Sequence, residues 1–207
     1  MKKIAVIFLV LSFTIFGTIS PQELGFGAKA GLNLAKFSGS DADLMETSPK
    51  FKLGTTIGGF VTYPLSDKLV IRPEVLFTQK GAKYKESEDG IDAKWKFKMN
   101  WLEIPVLAVY EVANNINVFA GPFLELYLNG ESVIKVEGGG ESYDADEKIE
   151  GDEVNSLGLG LIFGGGYGLT DNIDVEARFS LGLTSIDKDI TMKNSGIQVY
   201  VNYYLKR

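Results

Sequence analysis

Nine charged residues stand at alternate positions inside otherwise apolar or glycine-rich stretches: Lys29, Arg72, Glu74, Lys80, Glu103, Glu125, Asp174, Glu176 and Arg178. A charge in such a setting has two uses. It pairs with an opposite charge and fixes the packing around it, or it passes protons or ions along a buried path. The near balance of signs favours pairing, and the spacing predicts an internal network built from Lys29, Arg72, Glu74, Glu103, Glu125, Glu176 and Arg178.

Other chemistry is excluded by what the chain lacks. It contains no Cys and no His, which removes disulfides, thiolate nucleophiles, imidazole-based metal sites and the commonest general base. No catalytic residue is assigned, and the chain is not read as an enzyme. The runs Gly138–Gly140 and Gly164–Gly166 do not open a helix with the Lys and Ser or Thr of a phosphate loop. The acidic stretch with Glu141, Asp144, Asp146, Glu147, Glu150, Asp152 and Glu153 has hard oxygen ligands but no EF-hand spacing. It reads as a solvated loop, with no metal and no cofactor expected. Lys83, Lys85, Lys94, Lys96 and Lys98 flank another long connection and would attract phosphate groups without specificity.

The elements that position these charges follow a period of two from Gly25 onward. Eight segments carry it. Their apolar rows run Phe26 to Leu34, Leu53 to Tyr63, Leu69 to Phe77, Leu102 to Tyr110, Ile116 to Leu126, Leu157 to Tyr167, Ile173 to Leu183 and Ile197 to Leu205. None of these rows contains Lys, Arg, Asp or Glu, as contact with lipid requires. The opposite rows hold the nine charges together with glycines and rings such as Phe119 and Phe123, which suit the interior of a narrow barrel. Connections alternate between short (64–68, 111–115, 170–172) and long (37–51, 83–96, 129–154, 185–194), as in outer-membrane barrels with short periplasmic turns. The expected fold is therefore all-β, an eight-stranded antiparallel up-and-down transmembrane β-barrel with both termini in the periplasm. Tyr63, Tyr110, Tyr167 and Tyr203 end the outward rows on the short-turn side and read as an aromatic girdle.

The N-terminus supplies the address. Lys2 and Lys3 precede an apolar run from Ile4 to Phe16, too short for a spanning helix of ~20 residues and suited to a secretory signal peptide. Residues 1–20 are taken as that peptide and 21–207 as the barrel domain. Its removal moves the formal charge from −6 to −8, and such an acidic chain is not expected to bind nucleic acid.

The opening strand GFGAKAGLNLAKFSG, the hairpin YPLSDKLVIRPEVLFTQKGAK and the strand WLEIPVLAVYE resemble the porin-like outer-membrane β-barrel family of Bacteroidota that includes PorT-type proteins. The resemblance covers nearly all of the mature chain and implies fold and compartment, but no site residues. Asn194, Gly196, Val199 and Val201 also resemble the final-strand signal read by the barrel-insertion machinery, while Leu205, Lys206 and Arg207 stand where a terminal aromatic is usual. Expected partners are outer-membrane lipid, lipopolysaccharide and that machinery, with a surface protein or small solute possible. Three tasks fit such a barrel: structural or surface interaction through the long loops, narrow-pore transport, and, from the resemblance alone, an accessory role in protein secretion.

Overall fold

The structure, a computed structural model, describes residues 24–43, 47–88, 90–138, 141–152 and 154–207. The signal peptide expected at 1–20 lies outside the described residues, as do Glu153 and the second and third glycines of the 138–140 run.

Among the described residues ten antiparallel strands form one sheet: β1 (Gly25–Ser38), β2 (Lys50–Pro64), β3 (Leu69–Lys80), β4 (Ala82–Glu88), β5 (Ile91–Ala113), β6 (Ile116–Gly138), β7 (Glu141–Ile149), β8 (Leu157–Gly168), β9 (Ile173–Gly182) and β10 (Lys193–Lys206). Eight of them close on themselves in the order β1–β2–β3–β5–β6–β8–β9–β10, with β10 pairing back on β1. The ring is shut by Ala28 opposite Tyr203 through Phe37 opposite Asn194. β4 and β7 add to the outer reaches of β5 and β6.

Closure fixes which face is which. Alternate residues along β8 and β10 switch between buried and exposed without interruption over most of their length. The exposed set is the greasy one: Leu32, Ile57, Val75, Val106, Leu159, Phe163, Val199 and Val201 lie on the outside, each between 45 and 63 % exposed, while the charged residues of the strand cores are inside. A water-soluble barrel has the reverse polarity.

The interior is narrow, so the walls must yield room. Gly160 on β8 lies under the ring of Phe123 on β6, and a Cβ at Gly160 would fall 2.3 Å from that ring and 2.5 Å from the Leu181 carbonyl. Gly31 on β1 does the same for Tyr200 on β10, with a Cβ 2.7 Å from its ring. Glycine on one strand thus lets an aromatic of the next lie along the wall. In the short turn between β5 and β6, Asn115 takes φ 63°, a conformation Asn tolerates better than most.

Two expectations are corrected. Residues 83–96 and most of 129–154 are not loops: β5 and β6 are 23 residues each, and with β4 and β7 they continue as a four-stranded sheet beyond the ring. At ~3.3 Å per residue such strands run roughly 75 Å, far past an apolar band ~25 Å tall. The reason is legible afterwards in the alternation Trp95, Phe97, Met99, Trp101 against Lys94, Lys96, Lys98, which continues the strand pattern upstream of Trp101. A bulge at Leu128, where Asn100 faces Asn129 and Trp101 faces Tyr127, shifts the parity of β6 as it leaves the ring.

Replacing Gly160 by Leu should cost about 3 kcal/mol or more of folding free energy, because the Leu181 backbone blocks the new Cβ as well as the ring does. Urea titration of the refolded protein measures it, and unchanged stability would contradict this packing.

Candidate functional site

Inside the ring, β1, β3, β5, β6 and β9 each turn charged side chains inward because these occupy the row opposite the apolar one. Lys29, Arg72, Glu74, Lys80, Glu103, Glu125, Glu176 and Arg178 are all buried, none more than 4 % exposed. They join into one chain of contacts. Glu125 meets Lys80 at 2.7 Å, and Lys80 meets Glu103 at 2.5 Å. Arg178 links Glu103 at 3.3 Å to Glu74 at 2.8 Å. Glu74 then holds Lys29 at 2.7 Å and Arg72 at 2.9 Å, and both of these close on Glu176, Arg72 at 2.8 Å.

Four cations and four carboxylates make this cluster neutral. Neutrality matters because each ion brought out of water costs several kcal/mol, which only close opposite charges and hydrogen bonds return. The bonds are supplied by neighbours on β10: Arg178 donates to Gln198 at 2.6 Å and to the Tyr200 hydroxyl at 2.8 Å, and Asn202 donates to Glu176 at 3.0 Å. Rings complete the setting. Arg178 and Lys29 stand 4.4 and 4.7 Å from the Tyr200 centroid, Lys80 4.7 Å from Phe123, and Arg72 5.2 Å from Phe119.

All seven residues assigned to the network from sequence lie in this cluster. Lys80 lies on the same row but outside those seven, and it is what separates Glu103 from Glu125. Those two carboxylates are direct cross-strand partners on β5 and β6, an arrangement that repels without the ammonium between them. Asp174 stands apart near the short-turn mouth, paired with Arg207 at 3.0 Å. Tyr63, Tyr110, Tyr167 and Tyr203 all fall beside the short turns, in register with Ile71, Leu69, Ile116 and Ile173 respectively, away from the cluster.

At the opposite mouth the lumen ends in an apolar cap, for which the sequence carries no periodic signal. Phe37, Ala42, Ala82, Tyr84, Met99, Trp101, Val154 and Ile186 pack together there, drawn from strand ends and from the segments before β2, before β8 and before β10. Backbone bonds hold it: Asn155 N–H to the Ile186 carbonyl at 2.6 Å, and Tyr127 N–H to the Ser156 carbonyl at 2.9 Å. The Tyr84 hydroxyl donates to the Ala42 carbonyl at 2.6 Å, and burial, with Asp43 nearby, pushes its pKa up to about 12, so the donor keeps its proton. Glu141, Asp144, Asp146 and Glu147 of the acidic stretch lie on β7, where Asp144 pairs with Lys135 at 2.7 Å, while Glu150 and Asp152 follow it. Among the described residues no group of acidic side chains is gathered as a metal would need.

A family model described as the outer membrane protein beta-barrel domain matches residues 19–188. No curated protein matches the sequence. Among solved structures, Neisserial surface protein A is 17 % identical, with 88 % of this chain and 99 % of that chain covered at a TM-score of 0.49. The attachment invasion locus protein Ail of Yersinia pestis is 12 % identical over 89 % of this chain and 100 % of that chain, with a TM-score of 0.45. CarO2 of Acinetobacter baumannii is 11 % identical over 87 % and 99 %, at 0.42.

Removing Lys80 as Lys80→Met should destabilise the barrel by about 3–5 kcal/mol, since Glu103 and Glu125 are left facing each other. Adding Glu103→Gln and Glu125→Gln should recover most of the loss. Urea unfolding in phospholipid vesicles reads both, and a single variant as stable as the parent would show that the cluster does not depend on Lys80.

Proposed function

The chain belongs to the outer membrane protein β-barrel domain family, and from that premise we propose that it is a sealed barrel whose task is interaction at the cell surface, carried by the sheet β4–β7 and the segments packed at its base. The observation that carries this reading is the lumen: a neutral eight-residue ion cluster crosses it and an apolar cap closes one mouth. Such an interior anchors and rigidifies. Side chains that fill an eight-stranded lumen leave little room for a solute, which weighs against the narrow-pore alternative.

In this reading residues 1–20 direct export, the barrel-insertion machinery reads β10, and the short turns and both termini face the periplasm, because the long arms of β5 and β6 leave the opposite end of the ring. Tyr63, Tyr110, Tyr167 and Tyr203 mark the inner membrane–water boundary, with outer-membrane lipid around the apolar rows and lipopolysaccharide above them. The narrower likeness to PorT-type barrels of Bacteroidota supports an accessory role in secretion as one form that surface or envelope interaction could take.

Two measurements test this. Planar bilayers holding the refolded protein should stay silent, and steady solute-selective currents would overturn the sealed lumen. The chain has no native Cys, so Ser142→Cys on β7 should react with an impermeant maleimide on intact cells while Ser66→Cys in the β2–β3 turn does not. The reverse pattern would invert the orientation.

A further inference from the structure

The outward row of β5 reads Tyr110, Ala108, Val106, Ile104 and Leu102 and then, with no break in parity, Asn100, Lys98, Lys96 and Lys94. From Tyr110 to Leu102 the strand rises roughly 26 Å, or about 20 Å along the membrane normal at a tilt near 45°. An apolar band ~25 Å tall therefore ends close to Asn100. The lysines stand just beyond it, on the face that continues the lipid-contacting wall.

Their neighbours across the sheet are more lysines. Lys50, Lys83 and Lys96 are successive cross-strand partners on β2, β4 and β5. Lys85, Lys94 and Lys135 are successive partners on β4, β5 and β6. Like charges opposite one another oppose sheet formation, and the second row offsets this with carboxylates: Lys85 with Asp92 at 3.5 Å, Lys94 with Glu137 at 3.0 Å and Lys135 with Asp144 at 2.7 Å. Lys98, nearer the ring, pairs with Glu131. The row Lys50–Lys83–Lys96 has no ion pair to any described residue. Beneath it Lys52, 3 % exposed, donates to the Lys80 carbonyl at 3.3 Å and likewise reaches no described carboxylate. The six lysines of the two rows border a shallow cleft of about 450 Å³ with Phe51 and Val133.

We infer that this cleft binds the phosphates of lipopolysaccharide in the outer leaflet, with the row Lys50–Lys83–Lys96 as its centre. The inference deepens the surface-interaction reading and rests on the membrane orientation given there. Height selects the partner: phosphates at the hydrocarbon boundary lie level with these lysines, and Phe51, 46 % exposed beside them, faces the same boundary. The missing counter-charges would come from the lipid, and docking would hold the sheet β4–β7 against the membrane surface.

The test uses the folded mature protein in phosphatidylcholine vesicles, with diphosphoryl lipid A or dephosphorylated lipid A as the probe and the thermal unfolding midpoint as the readout. Diphosphoryl lipid A should raise the midpoint and dephosphorylated lipid A should not. In Lys83→Gln/Lys96→Gln the half-saturating lipid A concentration should rise about 25-fold, each lysine near an anionic surface accounting for roughly fivefold. Without lipid A that variant should be no less heat-resistant than the parent, because it has lost only a repulsion. An equal response to both lipids, or an unchanged response in the variant, would overturn the inference. So would a stronger response to a sulfated hexasaccharide than to lipid A, which would assign the face to a surface glycan. Failure of the parent protein to fold into any vesicle would instead remove the membrane reading, and this inference with it.

Discussion

Backbone N–H and C=O groups at hydrocarbon depth have no water to bond, so a sheet can cross a membrane only if it has no edge there. The pairing of β10 with β1 meets that requirement, and the remaining features follow from it. A closed ring has one outer and one inner face, and a period-two backbone sends alternate residues to each. The outer row must then be apolar over its whole depth. Everything polar in the strands is forced inside, into a space that eight strands leave only just wide enough for side chains.

That confinement explains the composition of the lumen. Ions cannot be left to solvent, so four cations and four carboxylates are joined in one connected set, and each of those four cations also lies against a ring. The rings need wall space, which glycines on adjacent strands provide, as Gly160 does for Phe123 and Gly31 for Tyr200. Charges, rings and glycines form one packing solution and not three separate features. Arg178 shows the coupling: it joins the two halves of the ion cluster, stacks on Tyr200, and its own backbone and Cβ lie against Gly164.

The ring was legible because its constraint is local and repetitive. Each strand core shows the alternation independently, and the apolar rows carry no charge. The inward residues could be read from parity, but parity does not say which inward residues meet. Lys80 lies at the end of its row, and only the three-dimensional approach of β3 to β6 places it between Glu103 and Glu125. The arms of β5 and β6 were harder to see because their polarity changes on leaving the membrane: Lys94, Lys96 and Lys98 occupy the positions that are apolar lower down, so a search for greasy rows stops at Leu102. The cap was illegible for a different reason, since Ala42, Val154 and Ile186 come from irregular segments with no period to read.

The same change of polarity separates the two ends of the wall by function. Within the membrane the outward face is fixed by the solvent it meets, and any apolar residue of suitable size serves. Beyond the membrane that restriction lifts and the face turns to lysines, of which Lys85, Lys94, Lys98 and Lys135 have carboxylate partners while Lys50, Lys83 and Lys96 have none among the described residues. Its lysines gather on β4 and β5, while β7 contributes Asp144 and Asp146 at the far side of the sheet. Folding alone gives no reason to oppose Lys83 to Lys96 when an acidic chain of net charge −6 has carboxylates to spare. A repulsive row retained at the level of the lipid phosphates makes physical sense when the compensating charge lies outside the polypeptide, and it ties the orientation of the projecting sheet to the membrane from which it rises.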